Sequence, residues 1–236
     1  MLTDSKSQRV ENVLGLLLFL GMLMTLYNVF IYAPTEKSMG DVQRIFYFHV
    51  PSAFIAFLGF LVCAGYSVAF LIKRNHRYDR VAYVSAEIGV LFSTIVLITG
   101  MIWARPIWQT WWTWDPRLTT MFILWFLYIA YLMLRNFTGE DERGARFAAV
   151  FAIIASADVP IVYMSIRWWG DRMMHPKPVL MGDEDSGLAP EMLYTFLFAL
   201  AVFLILYFYL MMLRLRQERT AEILNSMKKN LALHEE

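Results

Sequence analysis

The sequence contains a single cysteine, Cys63, which lies inside an apolar run. One cysteine cannot form an intrachain disulfide, a CxxC redox pair or a CxxCH haem-attachment motif, which argues against a thiol oxidoreductase and a c-type cytochrome. The GxxxxGK[ST] pattern of a P-loop is also missing, so any ATP-driven step would belong to another subunit. The net charge is only +1, without the basic face that nucleic-acid binding requires.

Charged residues are scarce as well. They make up 17% of the 236 residues, whereas 58% are hydrophobic, and the mean hydropathy is +0.48. A soluble domain of this size needs more charge to cover its surface. The composition therefore predicts an integral membrane protein embedded in a lipid bilayer.

Apolar stretches long enough to cross a bilayer recur six times. They lie at about 13–33, 51–72, 81–104, 118–134, 147–166 and 193–213. The first is longer than the apolar part of a signal peptide and has no A-x-A cleavage site behind it, so we expect a retained span. We predict an all-α fold with one membrane domain of six helices over 1–213, followed by a charged helical tail over 214–236.

Lysine and arginine predict which way the spans run. The N-terminus, the second and fourth connections and the tail carry twice as many of them as the other three connections. Both termini are therefore expected in the cytoplasm. The tryptophan-rich connection between the third and fourth spans and the long segment 167–191 are then expected outside.

Four of the eight tryptophans fall within seven positions, at Trp108, Trp111, Trp112 and Trp114. Tryptophan is costly to expose and usually spreads through a core or an interfacial belt. Such a dense cluster suggests a flat aromatic platform for a large, planar, apolar ligand. The alternative is that these residues are anchors at the membrane boundary.

The four histidines divide evenly between the two predicted sides. His76 and His234 fall on the cytoplasmic side, whereas His49 and His175 fall outside. Pro51 is expected as the first residue of the second helix, which would leave His49 at the membrane boundary. Two imidazoles on one side are suited to be the axial ligands of a haem, although a single interfacial histidine is more often only a hydrogen-bonded boundary residue.

Outer cations could pair with the propionates of such a haem, because arginine binds carboxylates through two parallel hydrogen bonds. The candidates are Arg105, Arg117, Arg172 and Lys177.

Two acidic residues fall within predicted spans. Asp158 lies in the middle of the fifth span, where Pro160 is expected to kink the helix. An ionisable group at that depth suggests passage of a proton or haem, or contact with a partner helix; the alternative is a neutral, hydrogen-bonded residue that stabilises the bundle. Glu87, in the third span, is expected to be structural.

Three other functions remain open from the residues alone. A bis-histidine b-type electron-transfer subunit of a quinone enzyme would normally hold its ligands on two spans. A transporter for another substrate could use Asp158 but would leave the tryptophans unexplained. A structural assembly subunit would bind no haem.

The motif Trp108-x-x-Trp111-Trp112-x-Trp114-Asp115-x-Arg117-Leu118-Thr119 resembles the WWD signature of haem-handling membrane proteins. Within that group the chain resembles the haem exporter protein C family of cytochrome c maturation. The resemblance extends over nearly the whole chain. It includes Phe48-His49-Val50-Pro51 before the motif and Val159-Pro160-Ile161, Trp168-Trp169 and His175 after it.

The resemblance implies a haem-delivery protein, not an enzyme, in the bacterial inner membrane. Haem b would be held non-covalently in a pocket facing the periplasm, with His49 and His175 as iron ligands. It would pass to a membrane-anchored haem chaperone, and the WWD loop, about 103–119 and including Asp115 and Arg117, would contact both. The implied partners also include the ATPase and membrane subunits of an ABC transporter and a small single-span protein.

This chain departs from the family pattern at one position of the motif. The family usually has glycine after the first tryptophan, where this chain has Gln109. Glycine would allow a positive φ at that position, which glutamine adopts only at a cost.

Overall fold

A computed structural model describes residues 5–138, 142–170 and 187–232. The described residues form seven α-helices: α1 Ser5–Tyr27, α2 Phe46–Lys73, α3 His76–Trp108, α4 Pro116–Thr138, α5 Glu142–Ser156, α6 Asp158–Trp169 and α7 Pro190–Ala232. A π-helix, Asn28–Tyr32, extends α1, and a 3-10 helix, Asp41–Ile45, leads into α2. Six stretches are long and apolar enough to cross a membrane: Gln8–Tyr32, Asp41–Lys73, His76–Trp108, Pro116–Thr138, Glu142–Trp169 and Pro190–Lys228. The prediction of six spans is confirmed.

The fifth span consists of α5 and α6, which are interrupted at Ala157. Pro160 has no N–H to bond to the carbonyl of Ser156, and its ring would clash with that carbonyl in a continuous helix. The N–H of Ala157 bonds to the carbonyl of Ile154, three residues earlier, at 3.1 Å. α5 therefore ends in a turn that is tighter than an α-helical turn. The interruption lies three residues before Pro160, where the sequence predicted a kink.

The centre of the bundle is a close contact between α2 and α3. A Cβ atom added at Gly59 would lie 3.0 Å from the Cα of Gly89 and from the carbonyl oxygen of Ser85. The Ser85 hydroxyl donates to the carbonyl of Gly59 at 2.7 Å. Small residues and hydroxyl groups of this kind allow two helices to approach closely in lipid, where no hydrophobic force drives them together.

Aromatic rings pack α4 against α2. The rings of Phe60 and Tyr128 stack with their centroids 3.8 Å apart. The Tyr128 hydroxyl donates to the carbonyl of Phe60 at 3.1 Å. Both side chains are fully buried, so they fix the position of α4 beside α2.

One end of the bundle is rich in ion pairs, and we call it the charged end. Arg214 of α7 pairs with Glu87 of α3 at 2.8 Å, which gives Glu87 the structural partner expected of it. Further pairs join Arg216 to Glu11, Arg135 to Asp79 and Arg80 to Glu222. The last pair holds the tail, which continues α7 as one helix to Ala232, as predicted.

The opposite end, which we call the tryptophan end, contains the π-helix, the 3-10 helix and the connection 109–115 between α3 and α4. A small core closes it, formed by Val29, Ala33, Phe46, Tyr47, Met192 and Phe196. Arg44 reaches across this core, where its guanidinium donates to the carbonyls of Val29 and Ala33.

Two expected boundaries are wrong at this end. Pro51 is not the first residue of its helix, because the 3-10 helix Asp41–Ile45 runs directly into α2 at Phe46. His49 therefore lies within the first turn of α2. The loop expected over about 103–119 is shorter, because α3 continues through Trp108 and α4 begins at Pro116.

Candidate functional site

His49 is held by a hydrogen bond to α3. Its Nδ1 lies 2.8 Å from Oγ1 of Thr99, and the same hydroxyl donates to the carbonyl of Ile95 at 2.7 Å. A hydroxyl has one proton, and the Ile95 carbonyl accepts it, so Thr99 accepts from Nδ1–H. In this tautomer the acceptor lone pair is on Nε2, which is the nitrogen that would coordinate a metal.

The His49 ring packs closely against α3. Its Cε1 lies 3.4 Å from the position of a Cβ added at Gly100. It also meets the ring of Trp103 edge to face, with centroids 5.7 Å apart and planes at 78°. Glycine at position 100 thus makes room for the imidazole, and Trp103 fixes its plane.

Gly100 and Trp103 also line a narrow apolar cleft, which encloses about 30 Å³ and opens to the surface. The cleft is lined by Met39, Gly100, Trp103, Ala104, Ile107, Trp108 and Leu118. His49 thus lies directly behind two of the residues that form the wall. The mouth of this cleft, beside a hydrogen-bonded imidazole, offers an apolar surface on which a flat apolar ligand that carries a metal ion can pack.

Five of these seven residues come from one face of α3, at 100, 103, 104, 107 and 108. This is the i, i+3, i+4, i+7, i+8 spacing of a helical stripe. Sequence reasoning named only Trp108 as a site residue; the same periodicity would have found the other four. Met39 and Leu118 reach the cleft from other segments, and no local pattern predicts that.

The tryptophans do not form the single flat platform that was expected. Trp112 and Trp114 meet with their ring planes at 78°, and Trp112 meets Phe122 at 67°. Edge-to-face geometry is favoured because it brings the positive edge of one ring to the negative face of another. Trp111 and Trp114 are 58% and 74% exposed, and Trp108 alone of the four lines the cleft.

Asp115 caps α4. It is 7% exposed, and its Oδ1 accepts from the N–H of Leu118 at 3.0 Å, while Oδ2 accepts from the Thr113 hydroxyl at 2.9 Å. Aspartate before Pro116 at the first helical position is a favoured start for a helix. The motif Asp–Pro therefore fixes where α4 begins, and places Arg117, half-buried, in its first turn.

Gln109 adopts the left-handed conformation, with φ 57° and ψ 16°, at the end of α3. This is the positive φ at which glycine has no penalty, whereas another residue costs about 1–2 kcal/mol. Its side chain donates to the carbonyl of Pro106 at 3.1 Å, and its own carbonyl accepts from Arg105 at 2.8 Å. These two bonds offset part of the cost, so the turn forms without glycine.

Arg105 is thus engaged by the backbone of Gln109, and its guanidinium lies 5.9 Å from the Trp111 ring. Among the other predicted site residues, His175 and Arg172 lie outside the described residues, as does Lys177. The structure therefore places Trp108 in the lining of the cleft and His49 behind its wall, against Gly100 and Trp103. Arg105, Asp115 and Arg117 lie around the turn beside it.

Asp158 is the first residue of α6, at the interruption of the fifth span. Its Oδ2 is buried and has no hydrogen-bond partner among the described residues. This argues against a fully hydrogen-bonded structural role and leaves a polar atom at the helix break that requires a partner.

Comparison with known proteins gives consistent matches. The family model described as Heme exporter protein C matches residues 3–230. A Heme exporter protein C of Haemophilus influenzae is 33% identical over 195 residues, covering 81% of this chain and 77% of that protein. One of Bradyrhizobium diazoefficiens is 31% identical over 186 residues, covering 79% and 70%.

A plant protein is also similar. The putative cytochrome c biosynthesis ccmC-like mitochondrial protein of Marchantia polymorpha is 34% identical over 146 residues. That alignment covers 62% of this chain and 61% of the plant protein.

Proposed function

The chain belongs to the Heme exporter protein C family, and from that premise we propose that it binds haem b and passes it on for cytochrome c maturation. The haem would pack over the mouth of the cleft between α3 and α4 at the tryptophan end, and His49 would be one ligand of its iron. It is cargo, held without a covalent bond and delivered to a membrane-anchored haem chaperone.

The observation that carries the proposal is the His49–Thr99 hydrogen bond beside the apolar cleft. An iron-ligating imidazole usually donates its second N–H to a neighbouring acceptor, which orients the ring and raises its basicity. Thr99 supplies that acceptor. The two indoles and aliphatic side chains of the cleft suit a macrocycle whose faces are apolar.

The remaining parts of the site are proposed from the sequence. His175, between α6 and α7, is the second axial ligand. Arg117, Arg105, Arg172 and Lys177 are the candidate partners of the propionates. Arg105 would exchange its bond to the Gln109 carbonyl for a propionate, which as an anion is the stronger acceptor.

The exposed indoles of Trp111 and Trp114 are suited to the chaperone. Aromatic side chains are enriched where proteins meet, because they bury a large area at little cost in conformational entropy. We propose that these two rings contact the chaperone while Trp108 contacts the haem.

The sidedness follows from the distribution of lysine and arginine. Both termini and the charged end lie in the cytoplasm, and the tryptophan end faces the periplasm across a bacterial inner membrane. Because the sequence has no P-loop, ATP hydrolysis belongs to the ATPase of a partner ABC transporter, which assembles with its membrane subunit and a small single-span protein around this chain.

The test is a visible spectrum and pyridine haemochrome assay of the detergent-purified protein expressed with excess haem. We compare wild type with His49→Ala and His175→Ala. His76→Ala, at the start of α3 at the charged end, is the matched control. We expect a low-spin b-type spectrum in wild type and in the control, and its loss in both test variants.

A wild type without haem, or an unchanged low-spin spectrum in both test variants, would overturn the assignment. The rival function, an electron-transfer subunit, predicts a haem that stays bound and undergoes reversible reduction by quinol. Transfer of haem from the wild-type protein to the purified chaperone would contradict that rival.

A further inference from the structure

A compact turn, residues 36–40, joins the π-helix to the 3-10 helix at the tryptophan end. The Glu36 carboxylate accepts from the N–H and the hydroxyl of Ser38, both at 2.8 Å, and from the N–H of Met39. The N–H of Gly40 donates to the carbonyl of Glu36 at 3.1 Å. Gly40 has φ 60° and ψ −143°, a conformation that is essentially restricted to glycine.

The bundle fixes both ends of this turn. On the far side, the N–H of Gln43 donates to the carbonyl of Gly40 at 3.3 Å. On the near side, Arg44 donates to the carbonyl of Ala33 and to the Thr35 hydroxyl. The turn is therefore a defined part of the tryptophan end, with the backbone of Met39 held by the Glu36 carboxylate.

The side chain of Met39 lines the cleft. The other lining residues come from α3 and the first turn of α4, so Met39 adds a wall from a third segment of the chain. It lies with Trp103 and Trp108 around the same space. A thioether is flexible and polarisable and packs well against aromatic rings, gaining about 0.3–1.5 kcal/mol per contact.

We propose that Met39 is a haem-positioning residue: its side chain packs on the macrocycle at the mouth of the cleft, and the Glu36 carboxylate fixes the backbone from which that side chain projects. This rests on the proposed haem function. It assigns the first outer connection a role in determining how long haem stays bound before delivery.

The experiment measures the rate at which haem leaves the purified, haem-loaded, full-length protein for an excess of apomyoglobin. The variants are Met39→Ala, Met39→Leu, Glu36→Ala and the double variant. Met24→Ala is the matched control, since Met24 is an exposed methionine of α1. We expect about tenfold faster release for Met39→Ala and Glu36→Ala, about wild-type release for Met39→Leu, and no change for the control.

The double variant tests whether Glu36 acts through Met39. If it does, adding Glu36→Ala to Met39→Ala produces no further acceleration, whereas independent effects would multiply. Multiplied effects would overturn the link between the two residues. Release at the wild-type rate in both single variants would overturn the proposal as a whole.

The failures can be told apart. A wild type that takes up no haem contradicts the proposed function itself. A wild type with a His49-dependent spectrum and an unchanged release rate in Met39→Ala contradicts only this inference. A thioether–iron charge-transfer band that disappears in Met39→Leu would show coordination and would overturn packing as the role of Met39.

Discussion

Replacement of Thr99 by valine tests whether the hydrogen bond behind His49 controls haem binding. Valine has nearly the shape of threonine but cannot accept from Nδ1–H, a bond of 2.8 Å in the structure. The imidazole would lose both its fixed tautomer and its orientation. Outer partners of metal-ligating histidines typically contribute 10–100-fold to metal affinity.

The expected magnitude follows from the bond itself. A hydrogen bond of this kind contributes about 0.5–1.5 kcal/mol, and an N–H left unsatisfied in a buried site costs about 1–3 kcal/mol. Since His49 is only partly buried, we expect the low end of the 10–100-fold range: a tenfold loss of haem affinity, or about 1.4 kcal/mol.

The assay is a haem titration of the detergent-purified apoprotein, followed at the Soret band. Thr94→Val is the matched control. Thr94 is also on α3 and also accepts from a ring N–H, that of Trp125 at 2.8 Å. Its loss should lower the melting temperature and leave haem affinity unchanged.

Thr99→Ser keeps the hydroxyl and should bind haem as wild type does. If Thr99→Val binds haem with wild-type affinity and spectrum, the hydrogen bond does not prepare His49 for iron, and the reasoning fails. An equal loss of affinity in Thr94→Val would attribute the effect to general damage to α3.

Three further predictions concern the bundle and its turns. Gly59→Ala should destabilise the protein by about 1–3 kcal/mol, because its methyl group would meet the backbone of α3. Gly65→Ala is the control, since a Cβ added there meets nothing within 4 Å, and it should not destabilise the protein. Equal melting temperatures of the two variants would contradict the close packing. Gln109→Gly should change the free energy of unfolding by less than about 1 kcal/mol, because relief of the left-handed strain offsets the lost hydrogen bond to Pro106. A loss above about 2 kcal/mol would show that the side chain is essential to the turn. The bond from the Met39 N–H holds the pKa of Glu36 below its ordinary value of 4.5. The carboxylate therefore stabilises the turn fully above about pH 4.5, and this stabilisation is lost as the pH falls through the lowered pKa. Hydrogen exchange at the Met39 amide, corrected for intrinsic rate, should show this loss in wild type and not in Glu36→Gln.

Hydropathy predicted the six spans because each crosses lipid as one apolar run, and that information is local. The helix break near Pro160 was predictable for the same reason, since proline breaks a helix through its own missing N–H. The start of α2 was not predictable in this way. The 3-10 helix Asp41–Ile45 runs directly into α2, which begins at Phe46, five residues before Pro51.

The candidate site was only partly predictable. His49 and Trp108 stand out by residue type, whereas Gly100 and Ala104 matter because they leave space, and small residues carry no chemical signal of their own. Met39 reaches the cleft only because the first connection folds over it. Such a contact depends on tertiary structure, so periodicity cannot reveal it.

The length of α7 has a structural consequence. Its 43 residues span about 65 Å at 1.5 Å per residue, about twice the 30 Å of hydrocarbon in a bilayer. At one end, Met192 and Phe196 belong to the small core that also holds Phe46 and Tyr47, next to His49. At the other end, Glu222 binds Arg80. With no break between them, α7 joins the ion pairs of the charged end to the core beside His49 as one continuous helix.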